Sequence, residues 1–306
     1  MSTTLSNLVI VSDLHCGCQF GLCPPGGVQL EGSGRYQPSR YQQVLWGRWR
    51  HFWDRAVPAA THGEPFAVVC NGDAIDGRHH DSTTQITHNL ADQANIAYEV
   101  LAPIVERCDG RYYHVRGTEA HVGKSGVEEE RLAQRLGAVR DEDGWYSRYV
   151  LWARMPGGLV NIMHHIGTTS SSAHESSAVN AEWTACLVEA ARWGVEPPRV
   201  VVRSHRHRCI EIRPPMAGGT ATVIVTPGWQ LKTPYVYRIA GGRNSEPQIG
   251  GVVIRQGDEG LYAKPIVWSL ARPQEETLCL TIPSTSPCRS SCAQSNRQSR
   301  SQGRRG

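Results

Sequence analysis

Short apolar runs, typical of buried strands, recur along the chain and alternate with segments of helical periodicity up to about residue 210. Beyond that point strand patterns predominate, and two segments at 251–255 and 262–268 have the character of edge strands. The main strand patterns cover residues 7–13, 66–73, 112–117, 147–155, 159–165, 199–205 and 221–227.

Three longer segments have helical periodicity, at residues 39–57, 89–108 and 176–194. Ser39 is a suitable N-cap for the first helix, and Pro103 is expected to kink the second. The alternation of strands and helices predicts a layered α/β domain with much of its sheet buried.

Length and composition are those of a soluble globular protein, with 306 residues and 40% hydrophobic residues. No apolar run reaches the roughly 18 residues that a membrane span needs, so we expect no membrane partner. The amino-terminal stretch reaches charged Asp13 early and has no basic region before it, so it is interpreted as a first strand and not as a secretory signal. A cytoplasmic location is the resulting expectation.

Basic charge is concentrated at the carboxyl end. The net charge is +4, and residues 286–306 hold five Arg and no acidic residue, so the rest of the chain has 27 basic against 28 acidic residues. Any attraction to nucleic acid would therefore come mainly from this tail. Its Ser, Gln and Arg content predicts disorder over residues 273–306, which leaves one domain over residues 1–272.

The ten cysteines of a chain expected in the cytoplasm are predicted to be free thiols. Cys16, Cys18 and Cys23 form a C-x-C-x4-C cluster, whose spacing does not match the usual paired zinc motifs. A structural zinc site is therefore not expected there.

Polar residues of metal-ligand type follow four separate apolar strands. Open α/β sheets bind ligands at the carboxyl ends of their strands, so these side chains are expected to meet in one crevice. The residues are Asp13 and His15 after the first strand, Asp73 and Asp76 after the second, His164 and His165 after the fifth, and His205 and His207 after the sixth.

The spacing of these residues has a stereochemical meaning. In an extended segment, residues i and i+2 point to the same side, so D-x-H and H-x-H each present two donor atoms to one site. Carboxylates and imidazoles together suit Zn, Mn and Fe, and a carboxylate can bridge two ions. Two such ions a few ångströms apart can clamp a phosphate for in-line attack.

The order of these motifs resembles the signature of the calcineurin-like metallophosphoesterases, which is D-x-H, G-D-x-x-D, G-N-H-(D/E), H and G-H-x-H. Here the corresponding blocks run in the same order from about residue 7 to residue 210. They are Asp13-Leu14-His15, Gly72-Asp73-Ala74-Ile75-Asp76, Gly117-Thr118-Glu119-Ala120-His121, His164-His165 and Ser204-His205-Arg206-His207.

The resemblance implies a two-sheet sandwich flanked by helices, with a dinuclear metal site at the strand ends. Asp73 would bridge the two ions, and Asp76 would orient an imidazole or a bound water. His164 is favoured over His165 as the fifth-strand ligand, because the family's ligand directly follows the apolar strand. The first ion would be bound by Asp13, His15 and His207. The second would be bound by His205 and one of His164 and His165.

The third block departs from the family, because Thr118 and Glu119 stand where the family has Asn and His. A P-loop is the other interpretation of this glycine-flanked stretch, but Gly117 and Gly123 are separated by five residues where that motif requires four. Our hypothesis is that Thr118 or Glu119 completes the coordination of the second ion. His121 would act as general acid or contact the phosphate.

The loop after the second strand, residues 76–88, is rich in histidine and also contains an arginine. It is a candidate rim of the substrate site, with Arg78 on the phosphate and His80 beside it. A solvated loop without function is the alternative.

The function implied by the resemblance is that of a metal-dependent phosphoesterase. It would hydrolyse phosphomonoesters or phosphodiesters by attack of a metal-bound hydroxide at a site holding two divalent ions, Mn, Zn or Fe. One alternative is a DNA or RNA nuclease of the same fold, with the Arg-rich tail adding affinity. The other is a degenerate, non-catalytic binding or scaffold protein.

Overall fold

A computed structural model describes residues 4–32, 34–79, 81–167, 172–239 and 245–269. A π-helical segment at Phe52–Ala56 joins the first two helices, and a 3-10 turn at Ser172–His174 precedes the last. The helices are α1 (Arg40–His51), α2 (Val57–Thr61), α3 (Leu90–Arg107), α4 (Glu119–Val122), α5 (Val127–Arg135) and α6 (Glu175–Trp193).

The strands of the described residues form two large sheets and two short ribbons. They are β1 (Asn7–Val11), β2 (Val28–Leu30), β3 (Gly34–Tyr36), β4 (Ala67–Asn71), β5 (Tyr112–Val115), β6 (Ser147–Arg148), β7 (Leu151–Met155), β8 (Gly158–Ile162), β9 (Val200–Arg203), β10 (Ile210–Ile212), β11 (Pro215–Met216), β12 (Gly219–Thr220), β13 (Thr222–Val225), β14 (Gln248–Gly257) and β15 (Gly260–Ser269).

The first sheet has the order β15-β14-β1-β4-β5-β6, and the second has the order β10-β13-β9-β8-β7. In the first sheet β1, β4, β5 and β6 are parallel, β14 runs antiparallel to β1, and the edge strand β15 runs antiparallel to β14. In the second sheet β8, β9 and β13 are parallel, and antiparallel β7 and β10 form the edges. The loops that follow the parallel strands therefore lie at the carboxyl ends of both sheets, where a ligand site can form.

Alternation along each strand divides its side chains between two cores. Ile10 and Val69 of the first sheet pack with Val202 of the second in a shared inner core. Their neighbours face outward, where α1 and α3 cover the first sheet and α6 covers the second. The predicted α/β fold, a two-sheet sandwich flanked by helices, is confirmed.

Two strand predictions were wrong in detail. The segment 147–155 is not one strand, because the chain leaves the first sheet after β6 and enters the second at β7, with Tyr149 64% exposed at the crossing. The segment 251–255 is not an edge strand, because β14 lies between β1 and β15. Its Val252, Val253 and Ile254 are fully buried, as an inner strand requires.

The predicted helices are confirmed, with one extension. Ser39 caps α1 by accepting the backbone N–H of Gln42, whose side chain bonds back to Ser39. The first helix continues through the π segment and then, beyond the predicted end at residue 57, to Thr61. His62 ends it in a left-handed conformation. Pro103 lies inside α3.

Three further sequence-based expectations concern thiols, membrane and tail. The described cysteines are free, and Cys16, Cys18 and Cys23 are buried. Across the described ranges, no helix is long and apolar enough to cross a membrane. The predicted tail, residues 273–306, lies outside the described residues, so the boundary at 272 stays a prediction.

Candidate metal centre

The loops that follow β1, β4 and β9 bring the predicted ligand residues together in unusual backbone conformations. Eight non-glycine residues of the described chain have positive φ, and five of them lie here. A left-handed conformation costs such residues about 1–3 kcal/mol each, so strain is concentrated at one place, as in many functional sites. The five are Asp13, His15, Asp73, His205 and His207.

Asp13, His15 and His207 form a first group whose ligand atoms lie within 4.8 Å of one another. His207 Nε2 is 3.3 Å from Asp13 Oδ1, and His15 Nε2 is 3.2 Å from His207 Nε2. The loops after β1 and β9 therefore supply one carboxylate and two imidazoles to the same point.

Asp73, His164 and His205 form a second group at the same spacing. His164 Nε2 is 2.9 Å from Asp73 Oδ2, and His205 Nδ1 is 4.0 Å from that oxygen. The backbone N–H of His205 also donates to Asp13 Oδ2 at 3.3 Å. His164 Nε2 lies 3.9 Å from Asp13 Oδ1, so the two groups are adjacent.

The structure distinguishes the two neighbouring histidines after β8. His164 is buried, and its Nδ1–H donates to the backbone carbonyl of Asn71 at 2.6 Å, which leaves Nε2 directed at Asp73. This arrangement is the usual second contact of a metal-binding imidazole. His165 is exposed, and its ring lies beside that of His205 with the centroids 5.1 Å apart.

The polar atoms of both groups fit cations. Among the described residues, buried Asp13 Oδ1 makes no hydrogen bond, and His164 Nε2 makes none of good geometry although Asp73 Oδ2 lies 2.9 Å away. His15 Nδ1–H is directed at Asp76, so its Nε2 presents a lone pair to His207. Such carboxylate oxygens and imidazole nitrogens, available to bind a cation, match the ligand sets of Zn, Mn and Fe.

The electrostatics of the groups show the same need for positive charge. Burial alone would raise the pKa of Asp13, but the imidazoles of His207 and His164 hold it well below its usual range. Burial would also raise the pKa of Asp73, but His164 and His121 hold that pKa well below its usual range. Burial acts to lower the pKa of His164, but Asp73 and Asp13 outweigh it and raise that pKa to about 10. Without a metal ion, a proton on His164 supplies the missing cation.

Thr118 of the divergent third block lies against the second group. Its backbone N–H donates to Asp73 Oδ1 at 2.8 Å, and its hydroxyl lies 3.3 Å from both Asp73 oxygens. Gly117 allows this approach, because a Cβ there would lie 2.0 Å from Asp73 Oδ1. Glu119 is exposed at the start of α4 and belongs to neither group, so its position does not favour the ligand hypothesis.

His121 faces the cluster from α4 as a neutral ring. Its Nδ1–H donates to the carbonyl of Asp76 at 2.6 Å, and its Nε2 is 3.9 Å from Asp73 Oδ2. Burial lowers the pKa of His121 to about 4 despite the opposing charge of Asp73. In this form Nε2 can accept a proton or a metal ion but has no proton to donate.

Asp76 orients His15. Its Oδ1 accepts from His15 Nδ1 at 3.1 Å and from Gln230 Nε2 at 3.2 Å, and its Oδ2 accepts from Gln85 Nε2 at 3.0 Å. Burial would raise the pKa of Asp76, but the hydrogen bonds from His15 and His79 hold it low. The carboxylate therefore fixes the tautomer in which His15 Nε2 faces the first group.

The predicted substrate residues of the 76–88 loop fall in other places. Arg78 is exposed and donates to the carbonyl of His88, outside the cavity over the metal centre. His80 lies outside the described residues. His79 instead lines the cavity, with its Nε2 3.4 Å from Asp76 Oδ2.

A cavity of about 460 Å³ opens over both ligand groups. Three basic side chains line it, Arg206, Arg208 and Lys232. Arg208 bonds Glu175 at 3.2 Å and Lys232 bonds Glu246 at 3.2 Å, so these cations are held in place by acidic partners. The apolar part of the lining comes from Ile166, Leu231, Tyr235, Val236 and Ile239.

No protein-family model and no curated protein matches the sequence. Among solved structures the chain is similar to vacuolar protein sorting 29 (Vps29) from Cryptosporidium parvum, with 9% identity and a TM-score of 0.33 over 88% of this chain and 100% of that one. A metallophosphoesterase from Sphaerobacter thermophilus has 9% identity and a TM-score of 0.35, over 85% of this chain and 88% of that one. The sulfate thiohydrolase SoxB from Thermus thermophilus has 12% identity and a TM-score of 0.38, over 88% of this chain and 57% of that one. At TM-scores this low, the likenesses carry no argument about function.

Proposed function

We propose that this protein is a metal-dependent phosphoesterase of the calcineurin-like metallophosphoesterase family. The observation that carries the proposal is the meeting of two carboxylate–imidazole groups, with ligand atoms within 4.8 Å in each, at the floor of one cavity. Their motifs stand in the order of the family signature. The cytoplasmic location inferred from the sequence stays a prediction.

The ligand roles follow the two groups. Asp13, His15 and His207 would hold one divalent ion. Asp73, His164 and His205 would hold the other, with Thr118 beside them. Bound at such a site, two divalent ions lower the pKa of water and neutralise the charge of a phosphoryl group.

The other residues of the cavity have supporting roles. Asp76 keeps His15 in its binding tautomer, and His121 Nε2 can take up a proton at the face of Asp73. The acid role proposed for His121 therefore requires that it first gain this proton, because its pKa is lowered to about 4. Arg206, Arg208 and Lys232 place three cationic groups around the cavity, two of them paired with Glu175 and Glu246, where an anionic phosphate ester would bind.

A non-catalytic metal-binding protein is the second candidate, and the third block favours it. The family's Asn is Thr118 here, and the residue in place of the family's His, Glu119, is exposed. Such a protein would retain the ions without turnover, so metal content and hydrolysis must be measured on the same samples.

The test compares two neighbouring histidines in the full chain loaded with Mn²⁺. Wild type should bind two ions and hydrolyse bis(p-nitrophenyl) phosphate or p-nitrophenyl phosphate. His164→Gln should lose one ion and about 10²-fold or more in turnover, because it removes a buried ligand. His165→Gln should behave as wild type, since His165 is exposed and outside both groups.

Bound metal is measured by inductively coupled plasma mass spectrometry, and turnover by nitrophenolate release. Two ions without hydrolysis of either ester would contradict the enzyme and favour the binding protein. Equal loss in both variants would contradict the assignment of His164.

A further inference from the structure

The carboxylate of Glu129 joins two loops of the metal centre from behind. Glu129 lies in the first turn of α5 and is fully buried. Its Oε1 accepts the backbone N–H of Ala74 at 2.8 Å, and its Oε2 accepts that of Gly117 at 2.6 Å. Ala74 is in the loop after β4 and Gly117 is in the loop after β5, so one side chain connects both.

Each of these N–H groups belongs to the chain neighbour of a residue at the second ligand group, either Asp73 of that group or Thr118 beside it. Ala74 follows Asp73, and Gly117 precedes Thr118. Thr118 in turn donates its N–H to Asp73 Oδ1 at 2.8 Å. Asp73, the two N–H groups, Glu129 and Thr118 therefore form a closed ring of contacts. Glu129 is thus placed to set the separation of Asp73 and Thr118.

Glu129 is surrounded by protein, where an ionised carboxylate is unfavourable unless it is hydrogen-bonded. One ionisable neighbour is His114, also fully buried, with Nε2 3.6 Å from Glu129 Oε1. His114 Nδ1 is bonded to the hydroxyl of Tyr112 at 2.8 Å. Burying a carboxylate is unfavourable unless strong hydrogen bonds compensate, and here those bonds come from the two site loops.

We propose that Glu129 is a positioning residue for the second metal ion, because it fixes the distance between Asp73 and Thr118. It does not touch the cavity, and it acts only through the two backbone N–H groups. The inference rests on the proposed function insofar as the centre binds two ions, but its test is ion affinity and not turnover alone.

The test is Glu129→Gln in the full chain. The amide oxygen can accept one of the two N–H groups, whereas the amide nitrogen faces the other and cannot accept it. The Mn²⁺ affinity of the second ion should fall about 10- to 100-fold, as for other residues that support metal ligands. The affinity of the first ion, at Asp13, His15 and His207, should fall less than that of the second, because Asp73 contacts that ion only if it bridges the two. Calorimetric titration with Mn²⁺ separates the two affinities, and excess Mn²⁺ should restore most of the turnover.

Glu130→Gln is the matched control. Glu130 is the adjacent carboxylate of α5 and also accepts backbone N–H groups, from Tyr146 at 3.0 Å and Ser147 at 2.8 Å. It contacts neither Ala74 nor Gly117 N–H, so its variant should lose stability without losing the second ion. Equal second-ion affinity in wild type and Glu129→Gln would overturn the inference, as would an equal loss in both variants.

Glu129→Asp separates position from charge and replaces the first variant if that one does not fold. Aspartate keeps the charge but is one methylene too short to reach both N–H groups, so the second ion should again bind weakly. Wild-type affinity in Glu129→Asp would overturn the positioning role. Two ions bound by wild type without hydrolysis would overturn the proposed function instead.

Discussion

At the residue scale, His164 has the most constrained chemistry of the centre. Its Nδ1 is fixed by the carbonyl of Asn71 at 2.6 Å, which holds Nε2 at 2.9 Å from Asp73 Oδ2. His164 and His165 lie in the loop after β8, which ends at Ile162, and this loop buries His164 while leaving His165 exposed.

The affinity of the second group for a divalent ion should rise with pH. In the metal-free protein, burial and the opposing charge of Asp73 and Asp13 leave His164 with a pKa of about 10. The ring is therefore protonated at neutral pH, and a metal ion must displace that proton. Raising the pH removes the competitor, so affinity should increase up to about tenfold per pH unit from neutrality to about pH 10, and then level off.

Calorimetry in two buffers of different ionisation enthalpy measures this release directly. About one proton should leave as the second ion binds near pH 7.5. His164→Gln removes the titrating group and provides the control. Uptake of protons on binding, or an affinity independent of pH, would contradict the protonated state of His164.

Sequence reasoning located the residues of both ligand groups because strand ends have a recognisable pattern. Asp13, Asp73 and His205 each follow an apolar run with one or two residues between. Gln230 and Glu129 could not be found this way, because their contacts join distant segments. Glu129 in particular stands in an acidic run at a helix start, a pattern typical of a solvated face.

At the scale of elements, a buried hydroxyl network joins the two sheets just behind the ligands. Thr226 Oγ1 lies 2.7 Å from the hydroxyls of both Ser12 and Ser204. Asn71 Nδ2 donates to Ser204 Oγ at 2.6 Å. Ser204 stands where the family has Gly, and the network gives its hydroxyl a role that the sequence alone did not indicate.

Thr226→Val should destabilise the fold by about 1–3 kcal/mol. Valine keeps the shape of threonine but leaves the buried hydroxyls of Ser12 and Ser204 each without one partner. Urea denaturation of the metal-free protein measures the change in the free energy of unfolding. Thr184→Val, at an exposed threonine of α6, is the control and should change it by less than about 0.5 kcal/mol. A loss at Thr226 no larger than at Thr184 would contradict a stabilising network.

The elements that sequence reasoning misplaced share a physical cause. The β6–β7 segment is continuous in its propensity for strand, and only its pairing partners divide it between two sheets. The position of β14 inside the first sheet is likewise set by β15, a partner that follows it in sequence. Local pattern determines whether a strand forms, whereas sheet order depends on contacts between distant segments.

At the scale of the whole molecule, the centre lies where the carboxyl ends of both sheets meet. The loop after β1 supplies Asp13 and His15, and the loop after β9 supplies His205 and His207. An ion held by residues of both sheets would link them, so metal binding should also stabilise the folded state. The described residues up to Ser269 contain both ligand groups and the three cores.

A chain that ends at residue 272 should therefore keep the melting temperature, the metal content and the turnover of the full protein. Residues 273–306 supply none of the predicted ligands, and their five Arg against two Glu account for +3 of the net charge of +4. Their removal should affect binding to a polyanion, which we expect to weaken and to lose its dependence on salt. Calorimetry, metal analysis and fluorescence titration with single-stranded DNA at two salt concentrations measure these quantities. A lower melting temperature would contradict the predicted boundary, and a nuclease activity lost with the tail would favour the nuclease over the phosphoesterase.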